Sequence, residues 1–292
     1  MNLDNNKINL NKFKKNIHSQ SGEDGILERL LENIDIEKSY EFVEFGAHNG
    51  KTNSNCYYLL ETTEYFGLFI EPDEKRFKNL ELNTKDKNCK NFKSLVTVDG
   101  KTSLDNILTK FQLSKEFDIL SIDIDGHDYH ILKSLKSFNP KIVIIEYNPT
   151  IPNDISYIQP PYSKSRHGSS PKALIDLANS KDYTLVALTD TNLIFLKNKI
   201  YKNSNILSLD LDSERDDKDI KVNVFQGYDG EILFSEKFIN LRWHLLKYDL
   251  SKFQLVPKIL RMMREDYSIA RKTIYILYKK YLLIKSKIYR ND

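Results

Sequence analysis

The sequence predicts an α/β fold: a Rossmann-like, mainly parallel sheet flanked by helices, with a helical, basic C-terminal extension. Three observations predict it. Apolar runs of strand length alternate with helix-like segments from residue 41 to 146, the pattern of a parallel sheet with right-handed crossovers. The run KIVIIE (141–146) is continuously apolar, as in a strand buried on both faces. EFVEFGAHNG (41–50) joins a strand to a glycine turn, and the next run, YFGLFI (65–70), stops at Glu71. A glycine turn followed about 20 residues later by an acidic strand end suggests a nucleotide-type cofactor site.

Taken in order, QSGEDGILERLLEN (20–33) reads as a helix, with Ile26, Leu27, Leu30 and Leu31 at helical spacing. Strand one spans 41–45, and the first crossover helix 54–62. Strand two spans 65–70, followed by a helix over 74–83. A third strand is expected over 92–98 and a helix over 103–111. FDILSIDIDG contributes strand four at 118–123, HDYHILKSLKSF a helix, and 141–146 strand five. Residues 148–170 contain Pro149, Pro152, Pro160 and Pro161, which rules out a regular helix and marks a long loop of the binding-loop kind. A helix over 171–180 and two strands, TLVALT and LIFLKN, follow. A final helical region is expected from about Leu241 to the end, with a break at Pro257. The domains are read as 1–40, an N-terminal helical segment; 41–200, the sheet domain; and 201–292, a region ending in a basic amphipathic helix.

Composition narrows the class. Of 292 residues, 40% are hydrophobic and 29% charged, ordinary for a soluble globular chain. The polar first residues do not resemble a secretory signal, so a cytoplasmic location is expected. Two cysteines make neither a disulfide framework nor a cysteine zinc site. Residues 251–292 hold 11 Lys and Arg against 3 Asp and Glu. Leu255, Ile259, Met262 and Met263 form one expected stripe there, and Ile274, Leu277, Tyr281 and Ile284 another. Such helices pack against protein or lie on anionic membranes, and both remain open. No nucleic-acid module is visible, and an oligomer is possible.

Ligands of open parallel sheets bind beyond the carboxyl ends of the strands. Those ends supply Glu44, Glu71, Asp123, Asp125 and Glu146, with Asn148 two positions on. Crowded carboxylates call for a cation or donors. A dinucleotide pyrophosphate favours G-x-G-x-x-G, whereas Gly46 and Gly50 stand in G-x-x-x-G and Glu44 precedes the turn. That spacing argues against an NAD-dependent oxidoreductase, the runner-up enzyme. A cationic methyl donor, S-adenosylmethionine, suits the acid better.

The blocks EFGAHNG, GLFIEPD, VTVDGKTSLDNIL, FDILSIDIDGHDYHIL and PKIVIIEYN in this order resemble the FkbM-type branch of class I S-adenosylmethionine-dependent methyltransferases. The resemblance runs over roughly 19–198. It implies that Glu44, Gly46 and Gly50 lie near the methionine part of S-adenosylmethionine, that Glu71 binds its ribose, and that Ala47, Asn49 and Asp123 also belong to the cofactor site. The family's D-x-E-G-x-E block is Asp123, Asp125, Gly126 and Asp128 here, and its common lysine is Ser121. The implied reaction is O-methylation of a sugar, glycan or other small polyol-like acceptor. His127, Asp125 and His167 are the candidate bases. A metal-assisted version would hold Mg2+ or another divalent ion on Asp123, Glu146 and Asn148. The alternative from another class is a non-catalytic or membrane-peripheral protein on the same fold, touching the inner face of a membrane through 251–292.

Overall fold

The protein is described by a computed structural model over residues 7–288. Residues 1–6 and 289–292, the outer ends of the expected N-terminal segment and basic tail, lie outside the described residues. The chain divides into two compact units, 1–217 and 218–292.

The first unit is built on a seven-stranded sheet of order β3-β2-β1-β4-β5-β7-β6. Its strands are β1 (Glu41–Phe45), β2 (Phe66–Ile70), β3 (Cys89–Phe92), β4 (Ile119–Ile122), β5 (Ile142–Glu146), β6 (Tyr183–Leu188) and β7 (Asn192–Lys197). All neighbours pair in parallel up to β5, and β7 runs antiparallel to both β5 and β6. A tight turn at 189–191 makes the last two strands a hairpin, so no crossover helix is needed there.

Strand alternation distributes the apolar residues to two cores. Val43, Phe45, Leu120, Ile122, Val143 and Ile145 face one, where α4 (Leu104–Lys110), α5 (Asp128–Ser134) and α6 (Pro171–Ser180) pack. Phe42, Phe69, Ile119, Ile142 and Ile144 face the other, covered by α1 (Glu23–Glu32), α2 (Tyr57–Thr62) and α3 (Glu74–Asn83). With apolar residues needed on both faces, the central strands read as unbroken hydrophobic runs. Two one-turn helices, α7 (Asn198–Tyr201) and α8 (Leu211–Glu214), complete this unit.

The order reverses between β1, which leads to β2 and β3, and β4, which leads to β5. Ligand crevices of open sheets form at such a reversal, beyond the strands' carboxyl ends. Here the backbones approach closely: Gly46 has φ +74°, and a Cβ on it would stand 1.5 Å from the Asp123 carbonyl oxygen. Gly50 has φ +73°, and its Cβ would meet Leu80 Cδ1, the end of a side chain, at 2.2 Å.

The second unit contains two hairpins, β8 (Val224–Gln226) with β9 (Ile232–Phe234) and β10 (Phe238–Leu241) with β11 (Leu246–Asp249), and one long helix, α9 (Ile269–Ile288). The helix expected from Leu241 is corrected. Residues 238–249 pair as strands, and the stretch around Leu255, Ile259, Met262 and Met263 forms only 3-10 turns, at Lys258–Leu260 and Arg264–Asp266. Pro257 lacks the N–H a continuous helix requires. The third strand also lies earlier than expected, at Cys89–Phe92 rather than 92–98. The first crossover helix begins at Tyr57, because the three residues before it bind a strand carboxylate.

Gly46→Ala is therefore expected to destabilise far more than Gly50→Ala. The first sets a side chain against backbone that cannot yield, at a cost of at least about 3 kcal/mol. The second combines an unfavourable φ with a movable leucine, at about 1–2 kcal/mol. Urea unfolding of both variants measures the difference.

Candidate active site

The glycine turn is organised by two buried acids. Glu44, 4% exposed, points to the face covered by α2. One carboxylate oxygen accepts from Asn55 N (3.0 Å); the other accepts from Ser54 Oγ (2.7 Å) and Cys56 N (3.2 Å). Burial pushes its pKa up to about 7 against those hydrogen bonds. The expectation that its negative charge faces a cationic donor is thus corrected: Glu44 is spent holding the entry to α2. Next to it, Ser121 Oγ is buried and accepts from Asn55 Nδ2 at 3.1 Å.

Glu71 ends β2 under the turn. Its carboxylate accepts from His48 N and from Asp73 N, each at 2.9 Å, so it ties the glycine turn to the start of α3. The turn is closed by Asn49, whose Oδ1 accepts from Lys51 N and Thr52 N, while Gly46 and Ala47 donate their N–H groups to Ile70 O. Ala47 is buried. Gly46, Ala47, Asn49, Gly50 and Glu71 are therefore brought together at one strand end.

Asp123 follows β4 and Glu146 ends β5. Because Ile122 pairs with Ile145, the next residues along, Asp123 and Glu146, stand side by side on one face. Both pKa values lie above the ordinary carboxylate range, first through burial, then through repulsion from Asp128 and Asp125 for Asp123 and from Asp123, Asp128 and Asp125 for Glu146. The pair retains a shared proton at neutral pH. Asp125 brings a third carboxylate: oxygen atoms of Asp123, Asp125 and Glu146 lie within 4.8 Å of one another. Asp125 has φ +56°, a turn conformation outside the strand, so its approach to Asp123 is set by the turn after β4 rather than by strand alternation. It is exposed and ion-paired to Arg166 at 3.0 Å.

Asp128 is buried and accepts from Ile124 N (2.9 Å) and Gly126 N (2.8 Å), which folds the turn after β4. Burial raises its pKa to about 6. His127 occupies the position just before α5 without making a side-chain cap; burial and then His130 lower its pKa, which keeps it neutral at pH 7.

The expected metal set is corrected at Asn148. Its Oδ1 accepts from Thr150 N and Oγ1, and its Nδ2 donates to His167 O, so Asp125 rather than Asn148 completes the oxygen cluster. His167 is not brought to that cluster by any hydrogen bond. It lies exposed on the 148–170 loop, with Nδ1 2.9 Å from Tyr157 Oη.

Three contributors were not legible in the sequence. Gln159, fully buried, accepts His167 N and Gly168 N at Oε1, and its main-chain oxygen contacts His130 Nε2 at 2.7 Å. Its amide lies against Gly126, where a Cβ would be 2.5 Å from Oε1, and its Nε2 has no hydrogen-bond partner. Arg166 supplies the cation beside Asp125. Asn192, opposite Glu146 across the sheet, donates to Glu23 at 2.9 Å, while its buried Oδ1 has no partner. None has a motif, because each is placed by a loop or a strand register. A separate cleft of about 540 Å³, lined by Lys38, Ser39, Lys141 and Lys197 among others, opens near the strands' amino ends, away from these groups.

The stretch from before α4 to β6, residues 99–185, matches the methyltransferase FkbM domain. Over these 87 of its 292 residues the chain is similar to the FkbM methyltransferase domain. The FkbM match contains Asp123, Asp125, His127, Glu146 and the 148–170 loop, while the glycine turn and Glu71 precede it. No curated protein sequence matches the chain. Among solved structures it is similar to the citrinin polyketide synthase CMeT domain (14% identity over 59% of this chain and 50% of that one, TM-score 0.40). It is also similar to a SAM-dependent methyltransferase from Aquifex aeolicus (12% identity, 57% and 86%, TM-score 0.35). A third is the N-terminal domain of EvdMO1 with SAH bound (10% identity, 54% and 73%, TM-score 0.36). The chain spans half the length of the first of these.

Groups whose pKa is raised in the folded state bind protons more tightly there than in the unfolded chain. Their stabilisation is complete at low pH and is lost as pH rises through the folded pKa. For Glu44 the window runs from its ordinary 4.5 to about 7, a loss of roughly 3 kcal/mol. Asp128 acts in the same direction. The melting temperature is expected to fall between about pH 5 and 8, and Glu44→Gln to flatten that slope; calorimetry across pH measures both.

Proposed function

We propose that this protein is an S-adenosylmethionine-dependent O-methyltransferase whose acceptor is a hydroxyl of a sugar, glycan or other small polyol-like molecule. The observation that carries this reading is the convergence, at the sheet's reversal point, of a glycine turn tied to Glu71 with the acid group of Asp123, Asp125 and Glu146. The donor is assigned to Gly46, Ala47, Asn49, Gly50 and Glu71, with Asp123 at its edge. With the Glu44 carboxylate engaged by Ser54, Asn55 and Cys56, attraction for a sulfonium and an ammonium comes from Glu71 and from the Asp123–Glu146 pair.

Methyl transfer is an in-line displacement, so positioning and removal of one proton supply most of the catalysis. His127 is the assigned base because its pKa is lowered from the ordinary value and it closes the turn that leads from β4 into α5. Asp125 is held by Arg166, and His167 is engaged by Tyr157. The three-carboxylate cluster also fits a divalent ion such as Mg2+, since all its donors are hard oxygens. Such an ion would supply positive charge that lowers the acceptor hydroxyl's pKa, and it would compete with Arg166 for Asp125.

Titration with S-adenosylhomocysteine tests the donor: heat is expected from the wild type, with affinity reduced at least about tenfold in Glu71→Ala. No heat, or equal affinities, would sink the donor assignment. Turnover with labelled S-adenosylmethionine and a panel of sugars tests the acceptor, with the label expected on oxygen. His127→Ala is expected to lower kcat about 10²–10⁴-fold with S-adenosylhomocysteine affinity unchanged. In the wild type, kcat should rise through a pKa below 6.5. Full activity after exhaustive chelation removes the metal from the mechanism.

A further inference from the structure

Residues 218–292 carry 16 Lys and Arg against 8 Asp and Glu, whereas residues 1–217 carry 28 against 33. The basic unit also exposes apolar side chains where water-facing structure is ordinarily polar. The β10–β11 hairpin pairs Leu241 with Leu246, so its turn is Arg242-Trp243-His244-Leu245. Such turns favour Gly, Asn, Asp or Ser. Here Trp243 is 61% exposed, Leu245 93% and Leu246 59%. Leu245 also adopts φ +53°, a left-handed conformation that is strained for a leucine. A glycine would serve the turn better, so local structure does not account for the leucine.

Helix α9 repeats the theme. One side packs within the unit: Tyr275 meets the Tyr267 ring at 5.6 Å, and Tyr278 Oη donates to Leu255 O. Ile274, Leu277, Tyr281 and Ile284 form a different stripe at helical spacing, each at least 47% exposed. Exposed Lys280 borders this stripe, and exposed Lys272 and Lys279 lie on the opposite side of the helix. No helix among the described residues is long and apolar enough to cross a membrane.

We propose that residues 218–292 seat this protein on the surface of an anionic phospholipid bilayer. The Trp243–Leu245 turn and the Ile274, Leu277, Tyr281 and Ile284 stripe enter the boundary between headgroups and acyl chains, and the lysines and arginines meet the phosphates. A protein partner would call for a contiguous apolar centre depleted of charge. The exposed apolar residues are instead spread over strands β8, β10 and β11, the Trp243–Leu245 turn and several sides of α9, with exposed cations such as Arg242, Lys247 and Lys280 between them. A fluid interface accepts that distribution, since lysine stems lie along apolar surface while their charges reach the phosphates and tryptophan sits at headgroup depth.

Trp243 is the only tryptophan of the chain, so its fluorescence reports directly on the turn. The full-length protein is titrated with vesicles of phosphatidylcholine alone and of phosphatidylcholine with phosphatidylglycerol, at about 0.1 and 0.5 M salt, and the same mixtures are floated. The expected result is a blue shift and flotation with the anionic vesicles only, weakened at least about tenfold at the higher salt. Leu245→Gly, which suits the turn, and Leu277→Ser are each expected to lower partitioning about tenfold with the melting temperature preserved. Absence of shift and flotation, equal binding to neutral vesicles, or wild-type partitioning by both variants would overturn the proposal. So would a lipid-free blue shift that grows with protein concentration alongside a sedimenting dimer, which would assign the surface to a second copy.

Discussion

The contact on which the site depends is between two pieces of backbone: the turn after β1 rests on the end of β4, with Gly46 against the Asp123 carbonyl. Only a residue without a Cβ permits it. The contact brings the loop expected to hold the donor and the first acid of the cluster to the same place at the sheet's reversal. Glu71 then fixes the turn from the β2 side, through His48 N. Two loops from distant parts of the sequence thereby share one geometry, set by the sheet rather than by either loop.

Burial of acid is the electrostatic counterpart of that geometry. Glu44 and Asp128 are placed where their charge is disfavoured, yet each receives two backbone N–H groups. An unpaired buried amide costs about as much as a weakened carboxylate, so the two needs meet in a raised pKa. The Asp123–Glu146 pair differs, because the two carboxyl groups face one another on adjacent strands and depend on a shared proton or an outside cation. Structural acids and candidate functional acids thus separate by their partners rather than by their burial.

Much of this was legible in the sequence. The strand order of events from Glu41 to Glu146, the two-sided burial of KIVIIE and the clustering of acids at strand ends follow from period and punctuation. The individual roles did not follow. Gly46 reads as room for a ligand, yet the atom nearest its missing Cβ is a backbone oxygen of the chain itself. Glu44 precedes the turn in sequence but points sideways under α2, because strand alternation sends it to the covered face. Asn148 has the right chemistry for a metal and is consumed by Thr150 and His167. Arg166, Gln159 and Asn192 arrive from remote segments, and no local pattern encodes their meeting. The C-terminal region misled for a different reason: apolar spacing near 250–263 fits a helix, while hairpin pairing of 238–249 and Pro257 decide otherwise.

The loop between β5 and α6 has its two ends clasped together. Asn148 N donates to Ser169 O at 2.9 Å, Gly168 lies against Asn148, and Ser170 caps α6. Inside that neck the loop is held by its own Gln159, by Arg166 on Asp125, by Arg215 on the carbonyls of Pro149 and Ile151, and by Asn153 N on Asp217. It therefore behaves as a cassette plugged into a fixed socket: changes that spare Asn153, Gln159 and Arg166 leave sheet, glycine turn and acid cluster in register. A fold arranged in this way can change what it modifies without relearning how to fold.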